Sequence, residues 1–223
     1  MIPAAPALPQ KPETLEGRYC RLEPLGRHHA ADLFDAVAGE GAETRFRYLG
    51  DAPPSSPTAM EAWIATITSA PARHYFAVVD KASDRCGGRQ ALMRIKPPHG
   101  SVEIGDILWG RGVARTRIAS EAFYLVARYA FDGLGYRRLE WKCDARNAAS
   151  RAAAERFGFA YEGTFRQHMV VKGESRDTAW HSIIDAEWPE RRAAFEAWLD
   201  PANFDENGRQ RSSLKARARP TGQ

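Results

Sequence analysis

Three groups of residues near the middle of this chain could do chemistry together. The first centres on Glu103, in a run where Val102 and Ile104 alternate with Ser101, Glu103 and Gly105. The alternation then slips by one, because Asp106 stands where an apolar residue is due and Ile107 takes its place. A one-residue phase slip is what a β-bulge produces, which would bend the strand and free backbone donors around Ile107, Leu108 and Trp109; on these residues alone the plainer alternative is a strand that ends at Asp106. Such donors can hold a carbonyl and its oxyanion, and Glu103, on the face opposite Val102 and Ile104, can take a proton through a water. Asp106 and Asp144 are rival carboxylates, and His168 and His181 could titrate near neutrality.

The second group opens a helix. Ile118, Ala122, Val126 and Tyr129 fall on one helical stripe, with Ala119, Phe123 and Ala130 beside it, which predicts an amphipathic helix whose first turn lies near 115–120. A helix N-terminus presents unpaired amides and the positive end of a dipole. Arg115 and Arg117 add full charges that fork onto phosphates, so Arg115, Thr116, Arg117, Ile118, Ala119 and Ser120 form a candidate pyrophosphate site.

The third group is Asn147-Ala148-Ala149-Ser150-Arg151, after an alternating strand Arg138 to Asp144. Asn147 is a natural N-cap. Ser150 then sits one turn in, facing back along the strand, where its hydroxyl can hydrogen-bond a leaving group. Cys143 shares the apolar side of its strand with Leu139 and Trp141 and reads as a small buried hydrophobe rather than a nucleophile. Tyr161 is a further hydroxyl.

These groups need a frame. A first strand is expected at Tyr19 to Leu25 and a helix at His28 to Val37. A second helix runs from Thr58 until Pro71 stops it. Strands follow at Tyr75 to Val79 and Arg89 to Ile95, with a turn at Asp84 to Gly88. A meander followed by strand–helix–strand implies an α/β (α+β) fold: a mixed, mostly antiparallel sheet of roughly six to seven strands, one central strand bulged, with helices on both faces.

Residues 1–14, rich in Pro and Ala, read as a flexible arm, 15–199 as one domain, and 200–223 as a polar basic tail. The chain has 223 residues and a net charge of +4, much of the excess in Arg209, Arg211, Lys215, Arg217 and Arg219. No aromatics interleave with those charges, so a solvated end is the plainer reading than a nucleic-acid contact. No apolar run approaches the ~18 residues of a membrane span, and the N-terminus is a poor signal peptide. Cys20, Cys86 and Cys143 are odd in number and widely spaced, which points to a reducing cytoplasm and to no metal site.

In this order and spacing the residues resemble the GNAT superfamily of N-acetyltransferases, and within it the RimJ/RimL type that acetylates protein N-termini. The resemblance covers roughly Leu15 to Pro189. It rests on Glu103-Ile104-Gly105, Ala119-Ser120-Glu121-Ala122, Asn147-Ala148-Ala149-Ser150-Arg151, Phe157-Gly158-Phe159 with Glu162-Gly163, and a closing strand from Asp177 to Trp188 with Glu187-Trp188-Pro189. Three positions depart from the family pattern. The pyrophosphate loop, Gln/Arg-x-x-Gly-x-Gly/Ala, falls on Ala114 to Ala119, with Ala at its first position and Arg117 in place of the central Gly; Ala154 stands where many members carry a general-acid Tyr.

The resemblance implies direct acetyl transfer from acetyl-CoA to a primary amine, without a covalent enzyme intermediate or a metal. Glu103 would be the base and Ser150 the group at the sulfur. Ile107, Leu108, Trp109, the 115–120 turn, Asn147, Ser150 and Arg151 would hold the cofactor. It also implies that the early helices and the last hairpin flank the acceptor, which places Phe46, Tyr48, Trp63, His168 and Trp180 near it. The acceptor would be a protein N-terminus or a small amine, including an aminoacyl compound, and a homodimer is left open. Two other readings stand beside this one: a CoA-binding module with little catalysis, and a nucleic-acid-associated protein acting through its basic tail.

Overall fold

The structure, a computed structural model, describes residues 13–70 and 73–214. Its strands are β1 (Leu15–Glu16), β2 (Cys20–Pro24), β3 (Arg73–Asp80), β4 (Arg85–Lys96), β5 (Ser101–Trp109), β6 (Arg138–Asp144), β7 (Ala160–Val171) and β8 (Glu174–Ile184). Its α-helices are α1 (Ala30–Val37), α2 (Ala42–Phe46), α3 (Pro57–Thr68), α4 (Arg117–Arg128), α5 (Ala148–Arg156) and α6 (Trp188–Leu199). The strands form one eight-stranded sheet in the order β1-β2-β3-β4-β5-β6-β8-β7, one or two more than the sequence suggests. The extra strand is the two-residue β1, too short to show a period.

Every neighbouring pair is antiparallel except β5 and β6, and that exception makes the site. Parallel neighbours need a crossover, here α4 with the π-helical turn Tyr129–Gly133 that follows it. The β5–β6 pairing runs only from Ser101↔Arg138 to Ile104↔Trp141. Beyond Ile104 the two strands part and leave a notch. The bulge lies at the same place: Arg89 pairs with Leu108 and Ala91 with Gly105, so one extra residue enters β5, and Asp106 takes a left-handed φ of 48°.

The two sheet faces carry separate cores. On one, α1 and α3 cover Tyr75, Ala77, Val79, Ala91 and Leu108. On the other, Phe76, Val78, Val102, Ile104 and Leu139 meet α4 and α6. The parity of β3 shows it directly, with odd-numbered residues turned to one core and even-numbered to the other. Helix α4 reads as amphipathic in sequence, yet every residue from Ala119 to Ala127 is buried. The covering comes from α6, which begins where the expected closing strand ends and is not among the expected helices, and from residues beyond Leu199. Phe204 and Leu214 belong to this core, Phe204 packs edge-on against Tyr19 and Trp198, and Trp198 Nε1 donates to Gln210 Oε1 at 2.9 Å. The packed domain therefore continues past residue 199 to Leu214; Lys215, Arg217 and Arg219 lie outside the described residues, as does most of the expected N-terminal arm.

A stacked pair explains Phe157-Gly158-Phe159. Phe123 and Phe157 lie face to face with centroids 4.5 Å apart, and Phe159, Phe195 and Trp141 close around them. Gly158 stops α5 with φ 93°, which lets both phenylalanines turn into the same core.

Glu121 is the buried charge of this face. Its carboxylate accepts from the amides of Arg18, Tyr19 and Cys20 at 2.7, 2.6 and 2.7 Å, fixing the β1–β2 turn to α4. Changing Glu121 to Gln keeps the shape but turns an amide NH2 toward backbone donors. We expect a loss of about 3 kcal/mol of stability, read as a lower urea midpoint with an unchanged slope; a midpoint equal to wild type would refute the assignment.

Candidate functional site

The notch is built by three chain segments that leave the sheet at one end. On its β6 side, β5 has no strand partner from Gly105 to Trp109, so the backbone edge of the bulged segment is open. The bulge itself is clamped from behind. Arg89, only 1% exposed, donates through Nη1 to the Asp106 carbonyl at 2.8 Å and through Nη2 to Asp51 Oδ2 at 2.6 Å. Its guanidinium lies 4.3 Å from the centre of the Trp63 ring. The Asp106 carboxylate is held in turn, with Oδ2 accepting from Tyr75 Oη at 2.5 Å and from Arg73 Nη1 at 2.7 Å. Burial and the neighbouring Asp106 charge push the Tyr75 hydroxyl up to about 12, so it stays protonated and donates.

Glu103 is buried on the face predicted for it, and both of its oxygens are engaged. Oε1 accepts from Arg94 Nη1 at 2.6 Å, and Oε2 pairs with Lys142 Nζ at 2.8 Å. Lys142 also meets Glu140 at 2.7 Å and lies 3.8 Å from the centre of the Trp180 ring. The line continues through Arg138 to Glu162 and Ser182. Burial would raise the Glu140 carboxyl, but bonds from Lys142 and Arg138 outweigh it and hold it below the usual range.

Helix α4 begins at Arg117, with Thr116 as N-cap: its Oγ1 accepts from the Ile118 amide at 3.1 Å and donates to the Val113 carbonyl at 2.7 Å. This corrects the predicted start by about two residues. The left-handed residue of the loop is Arg115, at φ 63°. Position 117, where the family pattern has Gly, is the first helical residue, so no backbone strain falls there. The Arg117 side chain turns away from the loop and stacks over Tyr19 at 4.2 Å and toward Phe204 at 5.4 Å. Arg115 is exposed, with no carboxylate within ion-pair distance among the described residues. Ser120 does not present its hydroxyl to the loop; it is 1% exposed and accepts from Arg156 Nη1 at 3.0 Å. Ala119 is buried and Ile118 partly so, and the Ile118 amide is taken by the Thr116 cap, which leaves the Ala119 amide rather than a side chain to meet a ligand. In β5, Ile107 packs toward the α4 core, Leu108 is buried under α1, and the Trp109 indole donates to Gln90 Oε1 at 3.2 Å, so this segment also offers backbone.

On the other wall, Asn147 caps α5 as predicted, Oδ1 accepting from the Ser150 amide at 3.1 Å. Ser150 Oγ accepts from Trp141 Nε1 at 3.0 Å, so its own proton is the one it donates, with the Cys143 sulfur within reach. Cys143 is buried; burial raises its thiol, with Ser150 pulling the other way, in keeping with a packed thiol. Arg151 lies 5.7 Å from the Tyr161 ring centre, and its Nε is buried without a partner. Ala154, at the position of the family's tyrosine, is fully buried.

The acceptor-side residues divide. Trp63 stands over Arg89 and edge-on to Tyr75, beside the bulge. Trp180 and His168 lie on the β7–β8 hairpin with Phe165 against the Trp180 ring at 4.6 Å. Phe46 does not reach them: its ring is 2% exposed in the α1–α3 core, and only its carbonyl faces the hairpin, accepting from Lys172 Nζ at 2.9 Å. His181 also falls away, fully buried beside Trp141 on the opposite sheet face, and burial holds its pKa below the usual value. Asp144 is closed by its own turn. Burial would raise it, but Arg146 bonds it through side chain and amide and keeps it low. A hollow of about 780 Å3 lies at Phe165–His168 and Asp177, along the hairpin rather than in the notch. At the notch an open strand edge, a helix N-terminus and a hydroxyl come together.

Sequence reasoning missed Arg89, Lys142, Asp51 and Tyr75. Lys142 could have been found by its parity with Glu140 on β6; Arg89 and Asp51 meet only through the fold. One further cluster has metal-ligand spacing, Glu23 with His28 and His29. It is spent internally: His29 Nδ1 accepts from the Gly26 amide at 3.1 Å, so Nε2 carries the proton and donates to Glu23 Oε2 at 3.1 Å.

The sequence matches the acetyltransferase (GNAT) domain family over residues 20–160. A crystal structure of a GCN5-related N-acetyltransferase from Brucella melitensis is 50% identical, covers 96% of both chains and superposes with a TM-score of 0.92. A probable acetyltransferase of the GNAT family from Chromobacterium violaceum is 39% identical over 83% of this chain and 92% of its own, with a TM-score of 0.76. The uncharacterized N-acetyltransferase p20 of Bacillus licheniformis is 29% identical over 117 residues, 51% of this chain and 63% of that protein, so the match spans less than two thirds of its length.

His29, His74 and His181 are all lowered, in each case chiefly by burial. The unfolded chain takes up these protons near pH 6.5 and the folded chain only below it, so stability is full above about pH 6.5 and falls as pH drops. Urea unfolding at pH 7.5 and 5.5 should show that fall, and a smaller one in His181→Leu; an equal fall in the variant would exclude His181 as a contributor.

Proposed function

We propose a reaction for this chain from one premise: it belongs to the GNAT family of acetyltransferases. The reaction is direct transfer of an acetyl group from acetyl-CoA to a primary amine, carried by a protein N-terminus or a small molecule, as in the RimJ/RimL branch. The observation that carries this reading is the coincidence of the β5 bulge, the end of β5–β6 pairing at Ile104, and the start of α4.

In this reading, the open edge of Gly105–Trp109 aligns the cofactor's pantetheine arm as an added strand would, with amides near Ile107 and Leu108 turned to the thioester oxygen. The first-turn amides of α4 that the Thr116 cap leaves open, those of Arg117 and Ala119, and the free Arg115 charge face the pyrophosphate. Arg117, folded onto Tyr19, shapes the turn without blocking it. The amine nitrogen attacks the carbonyl carbon; the C–N bond forms and the C–S bond breaks. Glu103 takes the amine proton through a water, and Ser150, its lone pair occupied by Trp141, donates its hydrogen bond to the sulfur that leaves. Asp106 competes for the role of base, since its Oδ2 is engaged by Tyr75 and Arg73 while no partner is seen for Oδ1 among the described residues. Orientation alone supplies several kcal/mol of the barrier, so no protein nucleophile is required.

Calorimetric titration with acetyl-CoA and with CoA tests the slot, and thiol release with an amine panel tests the transfer. Micromolar binding is expected, weakened about tenfold or more in Arg115→Ala, and turnover should fall about a hundredfold in Glu103→Gln. Full turnover in Glu103→Gln with loss in Asp106→Asn would pass the base to Asp106. Tight CoA binding with no turnover on any amine would make the chain a CoA-binding module, and no binding at all would sink both.

A further inference from the structure

We propose that the acceptor amine carries an oxyanion, a carboxylate or a phosphate, which this chain holds in a cationic hollow beside the notch; the inference rests on the acetyl-transfer reading above. The hollow has a volume of about 160 Å3 and lies between the segment after α2 and the tip of the β7–β8 hairpin. It is lined by Arg47, Arg146, Lys172 and Arg176, against Asp144 and Glu174.

These charges do not cancel. Arg146 bridges Asp144 at 3.0 Å and Glu174 at 3.4 Å, so the ion pairs to both carboxylates are made by this one side chain. Arg47, Lys172 and Arg176 have no carboxylate within ion-pair distance among the described residues. Lys172 donates to a neutral carbonyl, that of Phe46, at 2.9 Å, and the Arg47 guanidinium rests 5.4 Å from the centre of the Tyr48 ring. Arg176 Nε is buried without any hydrogen-bond partner. A guanidinium donor removed from water and left unpaired is costly unless an acceptor comes to it. Four cations against two carboxylates leave an excess of two positive charges around one small hollow, a receptor for an oxyanion.

Position decides whose oxyanion it is. Arg176 follows the parity of Thr178 and Trp180 on β8, and Asp144 that of Lys142 on β6, with Lys142↔Trp180 and Asp144↔Thr178 paired in register. The hollow therefore opens on the sheet face of Trp180, Lys142 and Glu103, whereas α4 and its first turn pack on the opposite face. A group bound there belongs to the acceptor rather than to the cofactor's phosphates. It is also close to the chemistry along the chain: Asp144 ends β6, and Asn147, three residues on, caps the helix that carries Ser150. Tyr48 Oη ties the wall across the notch by donating to the Arg146 carbonyl at 3.3 Å.

The test uses three acceptors with the same reacting centre: serinamide, serine and O-phosphoserinamide. Their kcat/KM values are measured on the full chain and on Lys172→Gln and Arg176→Gln. An anionic acceptor should be preferred over serinamide by at least about tenfold, which is about 1.4 kcal/mol of differential binding, and the ratio should collapse toward unity in both variants. The serine and phosphoserinamide arms tell carboxylate from phosphate. Equal use of all three by wild type, or a preference that survives both substitutions, overturns the proposal. So does a loss of affinity for CoA over dephospho-CoA in the variants, which would give the hollow to the cofactor. Should no amine be turned over, the transfer reading fails on its own, and titration with inorganic phosphate still decides the hollow. A saturable shift of the Arg176 Nε–Hε resonance, lost in Lys172→Gln, supports it, and no shift overturns it.

Discussion

The buried guanidinium of Arg89 is the constraint around which the rest is arranged. A bulge alone is a weak feature, because an extra residue in a strand leaves a carbonyl and an amide looking for partners. Here the carbonyl of the left-handed residue, Asp106, is taken by Arg89, and the other half of the guanidinium fork is taken by Asp51. That single side chain joins β4, the bulge, the loop before α3, and Trp63 on α3 itself. A charge this deep is tolerable only when its partners are fixed, so the bulge, the loop and the helix hold one another in place. The open strand edge of the notch is the residue of that arrangement: with β5 bent at Asp106, β6 cannot follow it.

Around this clamp the two sheet faces divide the work. The α4 face is apolar, stacked with aromatics, and sealed by α6 and residues 200–214. The α1–α3 face is covered only as far as β5. From Glu103 on β5 across β6 to β7 it carries Glu103, Lys142, Glu140, Arg138 and Glu162 in alternating charge, with Trp180 of β8 over Lys142. Such a network is stable because each charge is shared between two partners, and it gives this face a polar, pre-ordered floor.

Much of this was legible in the residues. The slip at Asp106 located the bulge, the Asn147 cap located α5, and the stripe through Ile118 and Val126 located α4, each because the signal is local and periodic. What escaped was non-local. Helix α6 has a weak apolar stripe, because Arg191 is buried against Gly158 and its helix meets aromatics from three other elements. Phe46 and His181 were placed by type rather than by parity, and the structure turns both into cores. The side chain of Arg117 reads as a phosphate ligand from its neighbours in sequence, whereas its neighbours in space, Tyr19 and Phe204, make it a stacking plate.

That stack ties the first turn of α4 to both ends of the domain. Tyr19 belongs to the turn pinned by Glu121, and its hydroxyl donates to the Leu199 carbonyl at 3.0 Å, while Phe204 comes from the closing segment. The geometry of the loop before α4 therefore depends on two distant contacts, one from the β1–β2 turn and one from the segment after α6. A fusion partner, a purification tag or a protease that disturbs either end would retune a loop it never touches.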